Sequence, residues 1–423
     1  MNILILGSGG REHAFAWKLK QSPICTQLWV APGNGGSNQL AQNIAIDPSD
    51  FSALKTFVVK ESIDMVVVGP EVPLVEGIYD FFVEDHSLSK VMVIGPSKHG
   101  AQLEGSKSFA KYFMQRHNIP TAAFNEFTKA NLEEGLTFID ENKAPFVLKA
   151  DGLAAGKGVV ITESKAEAKQ TLQEMISDAK FGDASSKVII EEFLNGIEFS
   201  VFVLSDGSDY VLLPNAKDYK RIGEKDTGLN TGGMGAISPV PFVDEDLMKK
   251  VKSRVIDPTI EGLKAEKIVY KGFIYVGLIL VDNEPYVIEY NCRMGDPETE
   301  IVLPRLENDL ADLLVKCSEG KLKDEVVKYS KKHGATVILA AGGYPEAYEK
   351  GKTIKGIESA EDSVVFHAGT QMESGVVKSS GGRVLAVTSF GADHKEALSK
   401  SYESIEKIDF DGIYYRKDLG FDL

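Results

Sequence analysis

Four short apolar runs in the first hundred residues constrain the fold more than any other feature of the chain. They are Ile3–Leu6, Leu28–Ala31, Met65–Val68 and Val91–Ile94, and each is followed by a turn that contains glycine or proline. Helical patterns lie between them, and this alternation predicts a parallel sheet with crossover helices. Ligands collect at the carboxyl ends of the strands in such sheets, so the turns predict one edge of a binding site.

The rest of the chain changes pattern along its length. A helix is expected at Phe109–His117, and residues 124–193 read as a compact unit of strands and helices. Residues 198–291 are rich in strand patterns, but a long polar loop is expected at Asn215–Ala236 and a helix near Asp244–Leu263. The last hundred residues start afresh as a further small α+β unit.

Composition excludes several classes of protein. The chain has 423 residues, 47 Lys and Arg against 62 Asp and Glu, and a formal charge of −15. The length predicts several domains, and the acidic surface argues against nucleic-acid or peripheral-membrane binding. The longest uncharged stretch, 21–46, is interrupted by prolines and glycines and cannot span a membrane. The three cysteines are widely spaced, and the first residues do not form a signal peptide, so we expect a cytoplasmic protein without a disulfide framework or a zinc site.

The turn after the first strand is glycine-rich. Gly7-Ser8-Gly9-Gly10 resembles the start of a dinucleotide fingerprint, but Glu12 occupies the position of the third glycine. NAD is therefore disfavoured. The amides of Gly9 and Gly10, with Arg11 beside them, are expected to hold a phosphate monoester. The alternative is a tight turn that serves only packing.

A second glycine-rich segment, Lys149–Val159, follows the expected strand Pro145–Leu148. Glycine lets backbone amides approach phosphate oxygens, and lysine ammonium groups act on them as point charges. The order is wrong for a Walker P-loop because Gly158 follows Lys157. The segment therefore predicts phosphate contact, and the alternative is a glycine-rich hairpin turn.

The acidic connection Glu191–Glu198 joins two strands. Its backbone offers donors and acceptors to an adenine edge, and Glu198 could accept hydrogen bonds from ribose hydroxyls. The alternative is an acidic surface connection.

The segment Pro285–Glu300 carries the strongest signal. Glu289 and Asn291 alternate on a strand, so their side chains share a face. A carboxylate and an amide oxygen suit a hard cation such as Mg²⁺. Arg293 lies two residues further on and could hold a substrate carboxylate with two hydrogen bonds. The alternative is a strand end with chance polar residues.

A positively charged segment, Lys217–Arg221, precedes the glycine-rich run Thr227–Ala236. Local positive charge in an acidic chain, together with the glycines, predicts a mobile cover over the substrate. The alternative is a solvated loop.

Taken together, these segments resemble the ATP-grasp ligases, in particular those that join glycine to 5-phosphoribosylamine. The segments that carry the resemblance are Gly7–His13, Gly95-Pro96, Gln102–Lys107, Lys149–Gly158, Glu191–Leu194, Asn230–Ala236, Asn291–Glu298, Ala341–Pro345 and Gly381–Leu385. The most specific are Asn-Cys-Arg-x-Gly-Asp-Pro-Glu and Ala-Gly-Gly-Tyr-Pro. Two residues depart from the family pattern: Met294 where Phe is expected and Glu300 where Gln is frequent.

The resemblance implies a multidomain α/β and α+β protein. It implies an N-terminal preATP-grasp domain with a Rossmann-like parallel sheet at 1–101 and a small C-terminal α+β domain at 326–423. Between them it implies a split ATP-grasp fold, with a large lobe at 102–121 and 192–325 and a small lobe at 122–191.

The resemblance also implies the second step of de novo purine synthesis. ATP, glycine and 5-phosphoribosylamine give glycinamide ribonucleotide, ADP and phosphate through glycyl phosphate, with Mg²⁺ or Mn²⁺. It implies a monomer whose partners are these substrates alone, without nucleic acid or membrane.

The same resemblance implies a role for each candidate residue. The catalytic residues are Lys107, Lys149 and Arg293. The ATP contacts are Lys107, Lys149, Gly152, Gly156, Lys157, Gly158, Glu191, Glu192, Phe193, Leu194 and Glu198. The metal ligands are Glu289 and Asn291. The substrate contacts are Gly9, Gly10, Arg11, Glu71, Thr231, Gly232 and Arg293.

Three other functions compete with this one. A related ATP-grasp enzyme would activate formate or bicarbonate instead of glycine. A nicotinamide-dependent oxidoreductase is favoured only by the first glycine turn. A silent nucleotide-binding module is disfavoured because Lys149, Glu289 and Asn291 are all present.

Overall fold

The computed structural model describes residues 1–153, 158–177 and 187–423. Its N-terminal part is the expected parallel sheet. The elements are β1 (Asn2–Gly7), α1 (Gly10–Leu19), β2 (Gln27–Pro32), β3 (Gln42–Asn43), α2 (Phe51–Lys60), β4 (Met65–Val68), α3 (Glu71–Glu76), α4 (Ile78–Glu84) and β5 (Met92–Pro96). The strand order is β3-β2-β1-β4-β5, with every pair parallel. Strands covered on both faces read as continuous apolar runs, which is why the four expected strands are confirmed.

Two short helices lead into the next unit, α5 (Gln102–Gly105) and α6 (Lys107–Arg116). Ser106 caps α6, since its hydroxyl accepts a hydrogen bond from the amide of Phe109 at 3.1 Å. This cap fixes where α6 begins and places Lys107 in its first turn.

A four-stranded antiparallel sheet with two helices forms the next unit, which we call the small sheet. Its elements are β6 (Phe124–Thr128), α7 (Leu132–Glu141), β7 (Phe146–Ala150), β8 (Val159–Thr162), α8 (Lys165–Ser177) and β9 (Lys187–Glu192). The strand order is β6-β9-β7-β8. Apolar side chains of α7 and α8, among them Ile139 and Leu172, pack on its inner face. The strand–helix pattern expected over 124–193 is therefore confirmed.

The chain then builds a larger unit. Its elements are β10 (Ile197–Ser205), β11 (Tyr210–Leu212), β12 (Lys217–Asp218), β13 (Arg221–Gly223), β14 (Thr227–Asn230), β15 (Gly235–Ser238), α9 (Glu245–Val251), α10 (Asp257–Ala265), β16 (Tyr270–Val281), β17 (Glu284–Asn291), α11 (Thr299–Arg305) and α12 (Leu310–Glu319). A π-helical stretch, Lys252–Ile256, joins α9 to α10, so the helix expected near Asp244–Leu263 is confirmed.

The N-terminal sheet and this unit share one sheet. β16 pairs antiparallel with β5 through Tyr270 with Pro96 and Lys271 with Gly95. The resulting nine-stranded sheet runs β11-β10-β16-β5-β4-β1-β2-β3, and β17 also pairs with β16. The metal strand expected from the sequence and the N-terminal turns are thus parts of one sheet.

The expected long loop at Asn215–Ala236 is wrong in part. β13 and β14 form a two-stranded hairpin, and β12 pairs with β15. β15 in turn pairs with the strand His333–Ala341 of the C-terminal unit. These strands are two to four residues long, which is too short for an apolar alternation to mark them in the sequence.

The C-terminal unit contains β18 (His333–Ala341), β19 (Val364–His367), β20 (Thr370–Glu373), β21 (Val376–Ser379), β22 (Arg383–Gly391), α13 (His394–Ile405) and β23 (Ile413–Tyr414). Its six-stranded sheet has the order β12-β15-β18-β22-β19, with β23 on β18, so two of its strands come from the preceding segment. The domain bounds expected from the sequence stay a prediction.

Four clusters of buried apolar side chains hold these units together, two of them on the large shared sheet. Among the described residues, none of the helices combines the length and apolar character needed to span a membrane.

Candidate active site

The glycine turn after β1 is closed by Glu12. The amide of Gly9 donates a hydrogen bond to Glu12 Oε2 at 2.6 Å, and Glu12 Oε1 lies 2.7 Å from Arg11 Nε. The amide that was expected to hold a substrate anion is therefore occupied by a carboxylate of the same chain. Substrate binding by Gly9 stays a prediction, and it would require Glu12 to move.

Gly10 lies against a second buried carboxyl group. A Cβ at position 10 would lie 2.2 Å from Glu300 Oε1, so the close approach requires glycine. Neither carboxyl oxygen of Glu300 has a hydrogen-bond partner among the described residues. Burial raises the pKa of Glu300 well above its ordinary range. Contact between Gly10 and substrate also stays a prediction.

Arg11 and Arg293 meet at one backbone carbonyl. Arg11 Nη1 donates to the oxygen of Met294 at 3.1 Å, and Arg293 Nη1 donates to it at 3.2 Å. Glu71, the first residue of α3, places Oε2 3.7 Å from Arg293 Nε. Burial raises the pKa of Glu71, but Arg293 and Arg11 outweigh that effect and lower it overall. The structure thus brings together three expected substrate contacts.

Glu104 forms a buried ion pair with Arg293. Its Oε1 lies 2.8 Å from Arg293 Nη2, and its Oε2 accepts a hydrogen bond from the amide of Cys292 at 2.8 Å. Burial alone would lower the pKa of Arg293, but Glu104 and Glu71 raise it overall. Arg293 Nε is buried and has no hydrogen-bond acceptor among the described residues. Glu71 Oε2, at 3.7 Å, is too far for a hydrogen bond to this N–H, and a substrate carboxylate would supply the missing acceptor.

Arg383 joins the expected substrate cover to the motif after β17. Its Nη2 lies 2.8 Å from Asp296 Oδ1, and its Nη1 donates to the carbonyl of Gly232 at 2.6 Å. Thr231 Oγ1 donates to the carbonyl of Lys220 at 2.8 Å. Thr231 and Gly232 are therefore attached to neighbouring segments, and their contact with substrate stays a prediction.

Three expected nucleotide and metal residues lie near one another. Lys107 Nζ donates to the carbonyl of Gly152 at 3.1 Å. Burial lowers the pKa of Lys107, Glu289 raises it and Lys149 lowers it, so both charges lie close to this ammonium group. Lys149, on β7 of the small sheet, and Glu289, on β17, are therefore both within electrostatic range of Lys107.

A buried ion-pair cluster supports Lys149. Glu191 Oε2 lies 2.9 Å from Lys149 Nζ and 3.2 Å from Lys111 Nζ. The other carboxylate oxygen, Oε1, is buried and has no hydrogen-bond partner among the described residues. An oxygen in that state can accept a hydrogen bond from a ligand such as an adenine amino group.

The connection after β9 joins the small sheet to β10. Glu192 and Ala123 bond reciprocally: the amide of Ala123 donates to Glu192 Oε1 at 2.9 Å, and the amide of Glu192 donates to the carbonyl of Ala123 at 2.9 Å. The Glu192 side chain is therefore bonded to the backbone of Ala123. Phe193 is 42% exposed and Leu194 is half-buried, so both have surface free for an adenine ring.

Glu198, expected at the ribose, is ion-paired. Its Oε2 lies 3.0 Å from Lys220 Nζ. Lys220 is the main cause of a lowered pKa at Glu198, and Lys217 and Lys149 lower it further. The carboxylate is thus ionised and lies near the nucleotide cluster, but contact with ribose stays a prediction.

Glu289 and Asn291 fit a divalent cation. A bulge in the pairing of β16 with β17 places Gly277 opposite Glu289 and Leu278 opposite Val287, leaving Ile288 unpaired. Bulges redirect side chains next to functional sites. Among the described residues the Glu289 carboxylate has neither a hydrogen bond nor an ion pair, and Asn291 Oδ1 accepts only a 3.5 Å contact from Arg293.

The donor set suits a divalent cation shared with phosphates. Mg²⁺ commonly binds through one or two protein oxygens together with phosphates of the substrate. No group of three or more acidic, His or Cys side chains that could hold a metal occurs among the described residues. The residues therefore fit a cation that ATP helps to hold, and do not fit a closed protein cage.

Two of the remaining nucleotide residues, Gly152 and Gly158, are described by the structure. The carbonyl of Gly158 accepts a hydrogen bond from the amide of Ala150 at 2.8 Å. Gly156 and Lys157 lie outside the described residues. Roles for Gly152, Gly156, Lys157 and Gly158 in ATP binding stay predictions.

Sequence reasoning assigned no role to Lys111, Glu104, Arg383 or Glu298. Glu298 is buried, and burial followed by repulsion from Asp218 raises its pKa to about 8. Lys111 lies one helical turn after Lys107, and Glu104 and Glu298 lie inside quoted motifs. These residues can be read from the sequence, but no local sequence pattern indicates that they are buried against charged partners.

Comparison with known proteins identifies the family. The family models for phosphoribosylglycinamide synthetase match the N domain at residues 1–104, the ATP-grasp (A) domain at 105–299 and the C domain at 334–422. The chain belongs to the phosphoribosylglycinamide synthetase family.

Curated relatives and a solved structure agree with this family. Phosphoribosylamine–glycine ligase of Vibrio vulnificus is 45% identical, with 100% of this chain and 98% of the relative covered. The enzyme of that name from Chlorobaculum tepidum is 47% identical, with 99% of each chain covered. The crystal structure of phosphoribosylamine–glycine ligase from Thermotoga maritima has a TM-score of 0.85 and 36% identity, covering 99% of this chain and 100% of that one.

Proposed function

We propose that the chain is an ATP-dependent ligase that joins glycine to 5-phosphoribosylamine, giving glycinamide ribonucleotide, ADP and phosphate. The observation that carries this proposal is the position of Arg293. It follows the strand that bears Glu289 and Asn291, and its buried Nε–H has no hydrogen-bond acceptor among the described residues, since Glu71 Oε2 lies 3.7 Å away, so a carboxylate can bind there. A small carboxylic acid would thus lie beside the phosphates of ATP. The names of the full-length relatives support glycine as that acid.

The first step would activate the carboxylate. A carboxylate is a poor electrophile at neutral pH, so a glycine oxygen attacks the γ-phosphorus of ATP and ADP leaves. This forms glycyl phosphate. Arg293 would orient the glycine carboxylate, while Lys107 and Lys149 would neutralise oxygens that gain negative charge. Positioning and charge stabilisation account for most of the catalysis of phosphoryl transfer.

The second step would form the amide. The amino nitrogen of 5-phosphoribosylamine attacks the carbonyl carbon of glycyl phosphate, phosphate leaves, and the nitrogen loses a proton. No nucleophile from the protein is required. Arg11 and Glu71 would face phosphoribosylamine, because they adjoin Arg293 at the edge of the N-terminal sheet.

A divalent cation belongs to this proposal. Glu289 and Asn291 would hold Mg²⁺ or Mn²⁺ together with the phosphates of ATP. When bound, the cation supplies positive charge next to the phosphate oxygens. The remaining ATP contacts would come from Glu191–Leu194 and Glu198 at the nucleoside.

A phosphate-release assay tests the function. Purified protein is supplied with Mg-ATP and 5-phosphoribosylamine, and the acid is glycine, formate or bicarbonate in separate reactions. We expect phosphate release with glycine alone and glycinamide ribonucleotide as the product by mass spectrometry. Release that follows formate or bicarbonate instead would favour the rival ATP-grasp enzymes. Binding of NADH in a fluorescence titration would favour the oxidoreductase.

The proposal also has the chain acting as a monomer of 46.1 kDa. Sedimentation equilibrium over a range of protein concentrations measures that mass directly, and a mass twice as large would contradict it.

A further inference from the structure

One buried lysine has no part in the proposed chemistry. Lys111 lies on α6, outside the small sheet, and its side chain is 2% exposed. Burying an ammonium group is costly unless it is paired and hydrogen-bonded. The contacts of Lys111 should therefore indicate its role.

Lys111 contacts both ends of the small sheet, the segment just before its first strand and the end of its last strand. On the entering side, Nζ donates to Thr121 Oγ1 at 2.8 Å and to the carbonyl of Ala122 at 3.4 Å. On the leaving side, it lies 3.2 Å from Glu191 Oε2. Thr121 Oγ1 also donates to the carbonyl of Val287 on β17 at 2.7 Å, so the contacts extend to the strand that bears Glu289.

Lys111 and Lys149 share one oxygen. Both ammonium groups lie on Glu191 Oε2, and the Glu191 side chain is 5% exposed. If Lys149 moved to the phosphates of ATP without Lys111 present, Glu191 would become a buried, uncompensated charge. Such a charge is strongly destabilising. With Lys111 present, Glu191 keeps a partner while Lys149 is engaged elsewhere.

We propose that Lys111 is a positioning residue of the nucleotide site, which keeps Glu191 paired and thereby releases Lys149 to the phosphates of ATP. This inference rests on the proposed function only in that ATP is the nucleotide. Lys111 itself touches no substrate.

The charged groups around Lys111 give the inference a pH dependence. They are Glu191 and Glu192 on β9 and Lys149 on β7. Burial lowers the pKa of Lys111 to about 8, although Glu191 opposes the effect. Loss of the Lys111 proton above that pH leaves Lys149 as the one positive charge paired with Glu191. ATP binding should therefore weaken as the pH rises from 7 to 9.

The test is the dissociation constant of Mg-ATP, measured by calorimetry for the full chain. For Lys111→Met at pH 7 we expect a rise of about tenfold, the size of one charged hydrogen bond, with kcat at saturating ATP within about twofold. The matched control is Arg116→Met on the same helix, which removes an exposed ion pair with Glu266 and should leave binding unchanged. Equal ATP affinity in wild type and Lys111→Met would overturn the inference.

Two further measurements separate positioning from loss of structure. In the Glu191→Gln background no buried carboxylate needs a second cation, so adding Lys111→Met to Glu191→Gln should change the dissociation constant of Mg-ATP by less than about twofold. A further rise of about tenfold in the double variant over Glu191→Gln alone would contradict the mechanism. Wild-type affinity should also fall between pH 7 and pH 9, and this needs no folded variant. A flat profile would contradict the inference, whereas absence of glycine-dependent phosphate release in a wild type that binds ATP would contradict only the proposed function.

Discussion

The carboxylate of Glu104 lies 2.8 Å from Arg293 Nη2 and at the same time accepts a hydrogen bond from the amide of Cys292. One buried acid thus fixes both the end of β17 and the guanidinium group that follows it. Glu104 belongs to α5, just before the helix that carries Lys107, so the carboxylate-binding and phosphate-binding sides are joined through it.

Replacing Glu104 by alanine should impair the use of glycine. Arg293 would lose its buried partner, and breaking such a pair typically costs about 2–5 kcal/mol, so kcat/KM for glycine should fall about 100-fold. The measurement is a glycine saturation curve at saturating ATP, with the melting temperature as a check on folding. Glu266→Ala, which removes an exposed ion pair, is the control. A folded Glu104→Ala protein with normal glycine kinetics would show that Arg293 needs no such support.

Replacing Glu289 by glutamine should lower turnover. The change keeps the shape of the side chain but removes the negative charge proposed to hold the cation, and loss of one electrostatic stabiliser lowers the rate about 100-fold or more. Steady-state rates are measured over a range of Mg²⁺ concentrations. Glu284→Gln on the same strand, where Lys250 and Arg254 pair with the side chain, is the control. A near wild-type rate of Glu289→Gln at saturating Mg²⁺ would remove Glu289 from the proposed metal site.

Replacing Lys149 by alanine should raise the ATP concentration needed for half-maximal rate. The protein should still fold, since Glu191 keeps Lys111 as its partner. Initial rates at varied ATP measure the effect. The control is Lys169→Ala on α8, which removes an ion pair with the exposed Asp140. An unchanged dependence on ATP would count against Lys149 as a phosphate contact.

The stability of the protein should fall as the pH drops below 6.5, because two histidines are buried without charge. His13 Nδ1 accepts a hydrogen bond from the amide of His367 at 2.7 Å. Burial, followed by repulsion from His367, lowers the pKa of His13 from 6.5 to about 3, and burial lowers that of His367 to about 4. Between these values and 6.5 only the unfolded chain takes up the protons. Each imidazole should therefore reduce the free energy of unfolding by about 2 kcal/mol between pH 6.5 and pH 5.

Urea unfolding at pH 7 and pH 5 measures this effect. His13→Asn keeps a hydrogen-bond acceptor for the amide of His367 and does not titrate. Its loss of stability between the two pH values should be smaller than that of wild type by about 2 kcal/mol, the contribution of one imidazole. Identical losses in the two proteins would mean that His13 is not buried neutral.

Local patterns in the sequence predicted much of the fold. The four parallel strands are continuous apolar runs, and the small sheet alternates strands and helices at short range. β12 and β15 were not predicted, because their place in the C-terminal sheet depends on pairing with β18, about a hundred residues further on. No periodicity within Asn215–Ala236 reveals that partner.

The candidate site was predicted to a similar extent. Glu289 and Asn291 alternate on β17 and Arg293 comes two residues after its end, so their grouping depends only on local geometry. Lys111 and Glu104 were not predicted as parts of the site, because their importance comes from burial against residues far away in the chain. Glu12 was recognised as a departure from the dinucleotide fingerprint, but that its carboxylate closes the turn at Gly9 is a matter of side-chain conformation.

The pairing of β5 with β16 has a consequence for how the substrates are brought together. Glu71 begins α3 soon after β4, and Glu289 lies on β17. Both strands belong to the nine-stranded sheet, so backbone hydrogen bonds between strands fix the distance between these two parts of the site. An adjustment that brings the nucleotide into line with glycine and 5-phosphoribosylamine would then involve the small sheet, whose strand β7 bears Lys149.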